Sequence, residues 1–264
     1  MSIQRRVEMV MGTAISVDLA DDAEFEVLFE GAAQAFAWFR EVDERFSTYK
    51  EHSEVSRLRR GEITAAQGSA DLRQVLAACA DLWSETGGFF DASATGRLDP
   101  SGYVKGWSVQ VASDRLTAAG LVNHCINAGG DVCVRGRPAP DRSWRVGIQH
   151  PWERGRLAWV LSVGDAAVAT SGTYERGLHV VDPFTGQPAA ALRSVTVVGT
   201  DLGSADAYAT AAFAMGRAGI DWLAARADLE WAVIAEDGQA YRSPGLPLAA
   251  DDATLDTESG LHRG

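Results

Sequence analysis

The chain of 264 residues is poor in lysine: Lys50 and Lys105 stand against 22 arginines. Arginine serves general surface charge well, so each lysine position raises the question of whether an ammonium is required there. A compositional bias toward arginine would leave the same count. Although 27 glycines are present, no two are separated by a single residue. That excludes the Gly-x-Gly dinucleotide fingerprint and the glycine loop of protein kinases. G-x-x-x-x-G-K-[ST], G-x-S-x-G and H-E-x-x-H are missing as well. Cysteine is scarce: Cys79, Cys125 and Cys133 form no C-x-x-C and read as buried free thiols. With no run of 18 apolar residues, no transmembrane segment is expected. Residues 1–20 place Arg5, Arg6 and Glu8 ahead of an alternating pattern, unlike the apolar centre of a secretion signal, and offer no cysteine as a lipid anchor. The expected location is cytoplasmic. Basic charge is also short: 24 basic against 36 acidic residues leave a net charge of −12, which argues against a nucleic-acid partner.

What is present is a chain with 46% hydrophobic and 23% charged residues, long enough to bury a core. Residues 5–19 alternate apolar and polar around Gly12 and predict a strand or bulged hairpin. Phe25, Leu28, Phe29, Ala32, Phe36, Phe39 and Phe46 recur at helical spacing over 22–46, with Asp21 and Asp22 suited to the N-cap. A second helix is expected over 69–86, capped by Ser69 and ended by Gly87 and Gly88. A third is expected from Ser101 to Ala119, stopped by Gly120. Short β-type runs follow at 123–134, 143–149, 157–163, 166–170, 177–182 and 193–199. Helices over 204–216 and 219–227 and a strand over 230–235 complete the pattern. Helices first and clustered strands afterwards imply an α+β fold rather than regular βαβ units. Residues 1–242 read as one domain, and 243–264 as a flexible tail.

Candidate chemistry sits at element junctions. In Asp99-Pro-Ser-Gly-Tyr-Val-Lys105-Gly106, a turn feeds a helix start, where free N–H groups and a lysine suit an anion such as phosphate. A capped helix with a surface lysine would look the same. In Asn127-Ala-Gly-Gly-Asp131, two glycines before an acid permit close approach by a ligand, or simply form a hairpin turn. Ala169-Thr-Ser-Gly-Thr-Tyr174-Glu-Arg176, followed by His179-Val-Val-Asp182-Pro-Phe-Thr-Gly186, gathers hydroxyls around a histidine able to act as a base. Asp206 and Thr210 share a helix face at i and i+4, and their hard oxygens suit Mg²⁺ or Ca²⁺ once other ligands complete the shell. Asp206 as a first-turn cap is the plainer alternative.

Together these segments resemble the ApbE family, the FAD:protein FMN transferases. The resemblance runs from about Met9 to Gly216. Its motifs occur in order: Met11-Gly-Thr13, Phe46-Ser-Thr-Tyr49 with Ser53-Glu-Val-Ser56, Gly88-Phe-Phe-Asp91, Asp99-x5-Lys105-Gly106, Asn127-x-Gly-Gly-Asp131, Ala169-Thr-Ser-Gly-x-Tyr174-x-Arg176, His179-x-x-Asp182-Pro183 and Asp206-x3-Thr210. The resemblance implies an ApbE-like, T-fold-related architecture, with helices packed on mainly antiparallel sheets in two intimate subdomains. It implies a Mg²⁺-dependent enzyme that cleaves FAD, attaches FMN to a Thr or Ser of an acceptor flavoprotein and releases AMP. Carried over residue by residue, Met11, Tyr49, Asp91, Ala92, Ser93, Asp99, Lys105 and His179 match FAD-binding positions. The carbonyl of Gly102 and the side chains of Asp206 and Thr210 match metal ligands. His179 matches the base toward the acceptor hydroxyl, with Lys105 and Asp206 its catalytic companions. The segment between Asp91 and Asp99 is shorter than in many members. An FAD pyrophosphatase and a non-catalytic flavin-binding protein are the alternatives.

Overall fold

The computed structural model describes residues 3–173 and 180–250. Strands β1 (Gln4–Val10) and β2 (Thr13–Leu19) form the expected hairpin. Its two-residue turn, Met11-Gly12, holds both residues at positive φ, 56° and 73°, the geometry that matches strand twist in tight hairpins. Met11 is the sole non-glycine at positive φ among the described residues. Helix α1 (Phe25–Phe46) buries Phe36, Phe39 and Val42 completely, an apolar stripe at helical spacing turned to the core. Short α2 (Glu54–Arg59) follows, then α3 (Ala70–Glu85), capped by Ser69 as expected. Helix α4 (Ser101–Ala118) ends before Gly120, whose φ is +86°.

The run at 123–134 is two strands, β3 (His124–Ala128) and β4 (Asp131–Arg135), folded back at Gly129-Gly130. These glycines have φ of 58° and 96°, and Asn127 Oδ1 accepts from Gly130 N at 2.9 Å. Strands β5 (Trp144–Gln149), β6 (Leu157–Val163), β7 (Ala166–Gly172) and β8 (Leu192–Gly199) precede α5 (Leu202–Ala214) and α6 (Ala218–Ala224). Strands β9 (Glu230–Ala235) and β10 (Ala240–Arg242) come last.

Among the described residues, one eight-stranded antiparallel sheet runs β1-β2-β3-β4-β7-β8-β9-β10, and β5-β6 form a separate pair. Because strand residues alternate in direction, the large sheet buries two apolar cores on opposite faces. Cys133, Ala167, Val197 and Val233 join the helix-side core. Val132, Val134, Val168 and Ile234 meet Trp144, Ile148, Trp159 and Leu161 of the β5-β6 pair. No helix among the described residues is long and apolar enough to cross a membrane.

Two local expectations are corrected. Asp21 and Asp22 do not cap α1, which begins after Glu24 with no side-chain cap. Asp21 instead accepts from the backbone N–H groups of Val122 and Asn123, both at 3.1 Å, and so ties the end of β2 to the start of β3. The flexible tail does not begin at 243 either. Ser162 N donates to Pro247 O and Ala249 N to Val160 O, both at 2.8 Å, while Leu246 and Ala249 are buried. The backbone and side-chain contacts of this stretch outweigh its polar composition. Residues 251–264 lie outside the described residues.

Candidate active site

Helices α4 and α5 approach through glycine. A Cβ on Gly106 would sit 2.4 Å from Leu202 O, and one on Gly203 would sit 2.8 Å from the Tyr103 ring. Only glycine permits this spacing, and it sets the next residue of α4, Lys105, against the next turn of α5, Asp206. Asp201 caps α5, accepting from Ser204 N at 2.7 Å, so Asp206 is not needed for that task. On β4, Asp131 points to the helix side, as Cys133 does two residues on.

The outcome is a cluster of charges in which Asp131 and Asp206 are buried and Lys105 is half-buried. The Lys105 ammonium meets Asp131 Oδ2 in an ion pair, not an aligned hydrogen bond, and stands 3.9 Å from Asp206 Oδ2. Asp131 is fully buried, and its Oδ1 accepts from Thr170 N at 3.0 Å. Asp206 is 5% exposed, and its Oδ2 has no hydrogen-bond partner among the described residues. Burial, then the neighbouring Asp131 charge, push the Asp206 carboxyl well above the usual carboxylate range, against the pull of Lys105. Thr210 Oγ1 lies 3.2 Å from Ser171 Oγ.

This cluster lies in a cleft of about 820 Å³, within the range of small-molecule sites. Met11, Tyr49, Asp91, Ala92, Asp99, Gly102, Lys105, Asp206 and Thr210 all line it. Tyr49 stands almost fully exposed at the rim. Asp99 Oδ1 accepts from Ser101 N at 3.1 Å, and its carboxylate lies 3.6 Å from Arg59. The Asp99 N–H bonds Ala92 O at 2.5 Å and closes the short 92–99 loop. Ser93 does not line the cleft; its N–H donates to Asp91 Oδ1 at 2.7 Å. Tyr174, Arg176 and His179 lie outside the described residues.

Some motif residues have structural work. Ser53 Oγ caps α2 through Ser56 N at 3.0 Å and donates to Ser47 O at 2.6 Å. Lys50, left without a role by the sequence, pairs with Asp43 and Glu44 at 2.5 Å each. Sequence reasoning marked the Asp131 loop but not Asp131 as the partner of Lys105. The β alternation that turns Asp131 and Cys133 to one face is the signal that could have found it.

The donor set suits a hard cation. Asp206 Oδ2 is buried and orphaned, and Thr210 is one turn away. No group of three or more His, Cys, Asp or Glu that could hold a metal exists among the described residues. Mg²⁺ readily takes water and substrate oxygens beside one carboxylate.

A profile of the ApbE family matches residues 11–96 and 92–233. The chain belongs to the ApbE family. It is 35% identical over 161 residues to an FAD:protein FMN transferase of Rhodobacter capsulatus, spanning 57% of this chain and 30% of that protein. Another from Vibrio cholerae is 33% identical over 129 residues, 45% of this chain and 39% of its own. The matches thus take in well under half the length of these curated relatives. One from Haemophilus influenzae is 24% identical over 272 residues, 78% of this chain and 79% of that protein. Among solved structures, an ApbE protein from Thermotoga maritima superposes with a TM-score of 0.81 at 20% identity, over 92% of this chain and 97% of that one. The flavin transferase ApbE from Vibrio cholerae gives 0.79 at 23%, over 92% and 98%. This ApbE-family chain therefore has the α+β ApbE fold, and its charge cluster lies at the meeting of β4, β7, α4 and α5.

Proposed function

We propose that this chain is a Mg²⁺-dependent FAD:protein FMN transferase. It binds FAD in the cleft, moves the FMN part onto a Thr or Ser hydroxyl of an acceptor flavoprotein and releases AMP. The observation that carries the reading is Lys105, paired with the buried Asp131 and Asp206, beside Thr210 in a cleft of about 820 Å³ lined by Lys105, Asp206 and Thr210. The names of the family relatives support it.

In this reaction the acceptor oxygen bonds to the FMN phosphorus. The bond from that phosphorus to the bridging oxygen breaks, and AMP leaves with that oxygen. Such transfer depends on positioning and charge neutralisation more than on covalent help. Lys105 supplies positive charge to the phosphate oxygens. Asp206, Thr210 and the Gly102 carbonyl would hold Mg²⁺, which when bound adds further positive charge there. Met11 and Tyr49 contact FAD from the turn and the rim, while Asp91 and Ala92 run along it and Asp99 binds the nucleotide. His179, assigned from its motif alone, takes the proton from the acceptor hydroxyl.

The test is to incubate the protein with FAD, Mg²⁺ and a candidate acceptor domain and to weigh the acceptor by mass spectrometry. An FMN adduct supports transfer. Free FMN and AMP without adduct would point to hydrolysis, and intact FAD across a panel of acceptors would sink both enzymatic readings.

A further inference from the structure

Lys105 and Asp206 line the cleft, Asp131 lies fully buried against Lys105, and the arrangement of the three is lopsided. The Lys105 ammonium is in close contact with Asp131 Oδ2, while Asp206 Oδ2 stands 3.9 Å away; neither buried oxygen has a hydrogen-bond partner among the described residues. A lysine between two buried carboxylates would ordinarily bridge both, since each unpaired buried charge is costly. Asp131 holds the lysine more closely and is itself fixed. Its Oδ1 is held by Thr170 N, and its backbone by the Gly129-Gly130 turn, which Asn127 braces.

We propose that Asp131 is a positioning residue that anchors Lys105 and so keeps the ammonium off Asp206, leaving that carboxylate open to a divalent cation. The inference rests on the reading of Asp206 as a metal ligand. Lys105 and Asp206 form only a long ion pair: a shift of about 1 Å would close the 3.9 Å separation to hydrogen-bond distance. Without the Asp131 charge, Asp206 is the buried carboxylate among the described residues that the lysine can approach. Mg²⁺ would then have to displace an ammonium before it could bind.

The experiment is a double-mutant cycle on Mg²⁺ affinity, measured by calorimetry with no flavin present. Asp131→Asn keeps an acceptor oxygen for Thr170 N and removes the charge. Lys105→Gln removes the competitor. If Asp131 acted only through its charge, Lys105→Gln would raise Mg²⁺ affinity by the same factor in both backgrounds. If it anchors the lysine, the gain is larger in the Asp131→Asn background, by about tenfold for a coupling of typical size. Equal factors would overturn the proposal while leaving the metal reading intact. An intact protein that binds no Mg²⁺ would overturn the metal reading and the proposal with it.

A second measurement needs no substitution. The chain has two lysines, so lysine labelled with ¹⁵N at Nζ gives two ammonium signals, and Lys105→Gln assigns them. The Lys105 side chain is half-buried and its ammonium is held by Asp131, so its protons should exchange slowly with solvent and stay slow as Mg²⁺ is added. If they turn to fast exchange on Mg²⁺ addition, the ammonium had been resting on Asp206 and the proposal fails.

Discussion

Two buried polar clusters sit along the same helix, one near each end of α4, and they differ in one respect that separates structure from chemistry. Toward the C-terminal end, fully buried Ser113 and His124 form a closed set. His124 Nδ1 donates to Leu121 O and Nε2 accepts from the Ser113 hydroxyl, both at 2.8 Å. Every polar atom there is answered, and burial pulls the His124 pKa down so that the ring stays neutral. Toward the N-terminal end, two carboxylates share one lysine, and Asp206 Oδ2 is left without a hydrogen bond. The first cluster is sealed by sheet and helix, whereas the second opens into the cleft. Burial alone therefore does not mark a site. What marks it is burial with unmet hydrogen-bonding capacity facing a cavity.

The sharpest way to break that contrast is Asp206→Ala. Transfer of FMN, followed by acceptor mass, should fall by about 10²- to 10³-fold or more. The melting temperature without metal should hold or rise, because one of two crowded buried carboxylates is gone. A loss of stability would place Asp206 with His124 as a structural residue. The converse is His124→Ala, which leaves the Ser113 hydroxyl and the Leu121 carbonyl unanswered and opens a void. Urea unfolding should register a loss of about 2–4 kcal/mol, with transfer per folded molecule unchanged.

A smaller effect follows from pH. The His124 pKa is lowered from 6.5 in the fold, so the unfolded chain takes up the proton first as pH drops. Stability contributed by the neutral ring is present above pH 6.5 and is lost as pH falls toward the folded pKa, by at most about 1.4 kcal/mol per pH unit. The stability gap between the wild type and His124→Asn, read from urea midpoints, should therefore shrink between pH 7.5 and 5.5. The smallest effect is expected for the other lysine. Lys50→Ala removes exposed ion pairs with Asp43 and Glu44, which solvent screens, so melting should not measurably change.

The sequence exposed those elements that carry long periodic patterns: α1, α3, α4 and the β1-β2 hairpin. It hid α2 and the three-residue β10, too short to show a period. The β3-β4 fold-back was hidden inside one apolar run, although Gly129-Gly130 marked the place. Asp21 followed the rule for caps until a distant pair of N–H groups at Val122 and Asn123 claimed it. In the candidate site, the residues matched to FAD and metal contacts converge on one cleft, except Ser93 beside it and His179 outside the described residues. The pairing of Lys105 with Asp131 stayed invisible, because it depends on where α4 lands on β4, a contact that no local spacing encodes.

The segment around Pro247–Ala249 that lies along β6 gives the order of synthesis a role in folding. A chain emerging from the ribosome at about 5–20 residues per second delivers α4, β4 and α5 with Lys105, Asp131 and Asp206 before this segment appears. The cleft floor can therefore assemble while the outer β5-β6 pair still lacks the backbone partners at Val160 and Ser162. During that interval the apolar side of the pair, with Trp144 and Trp159, would be held by fewer backbone bonds than in the finished protein.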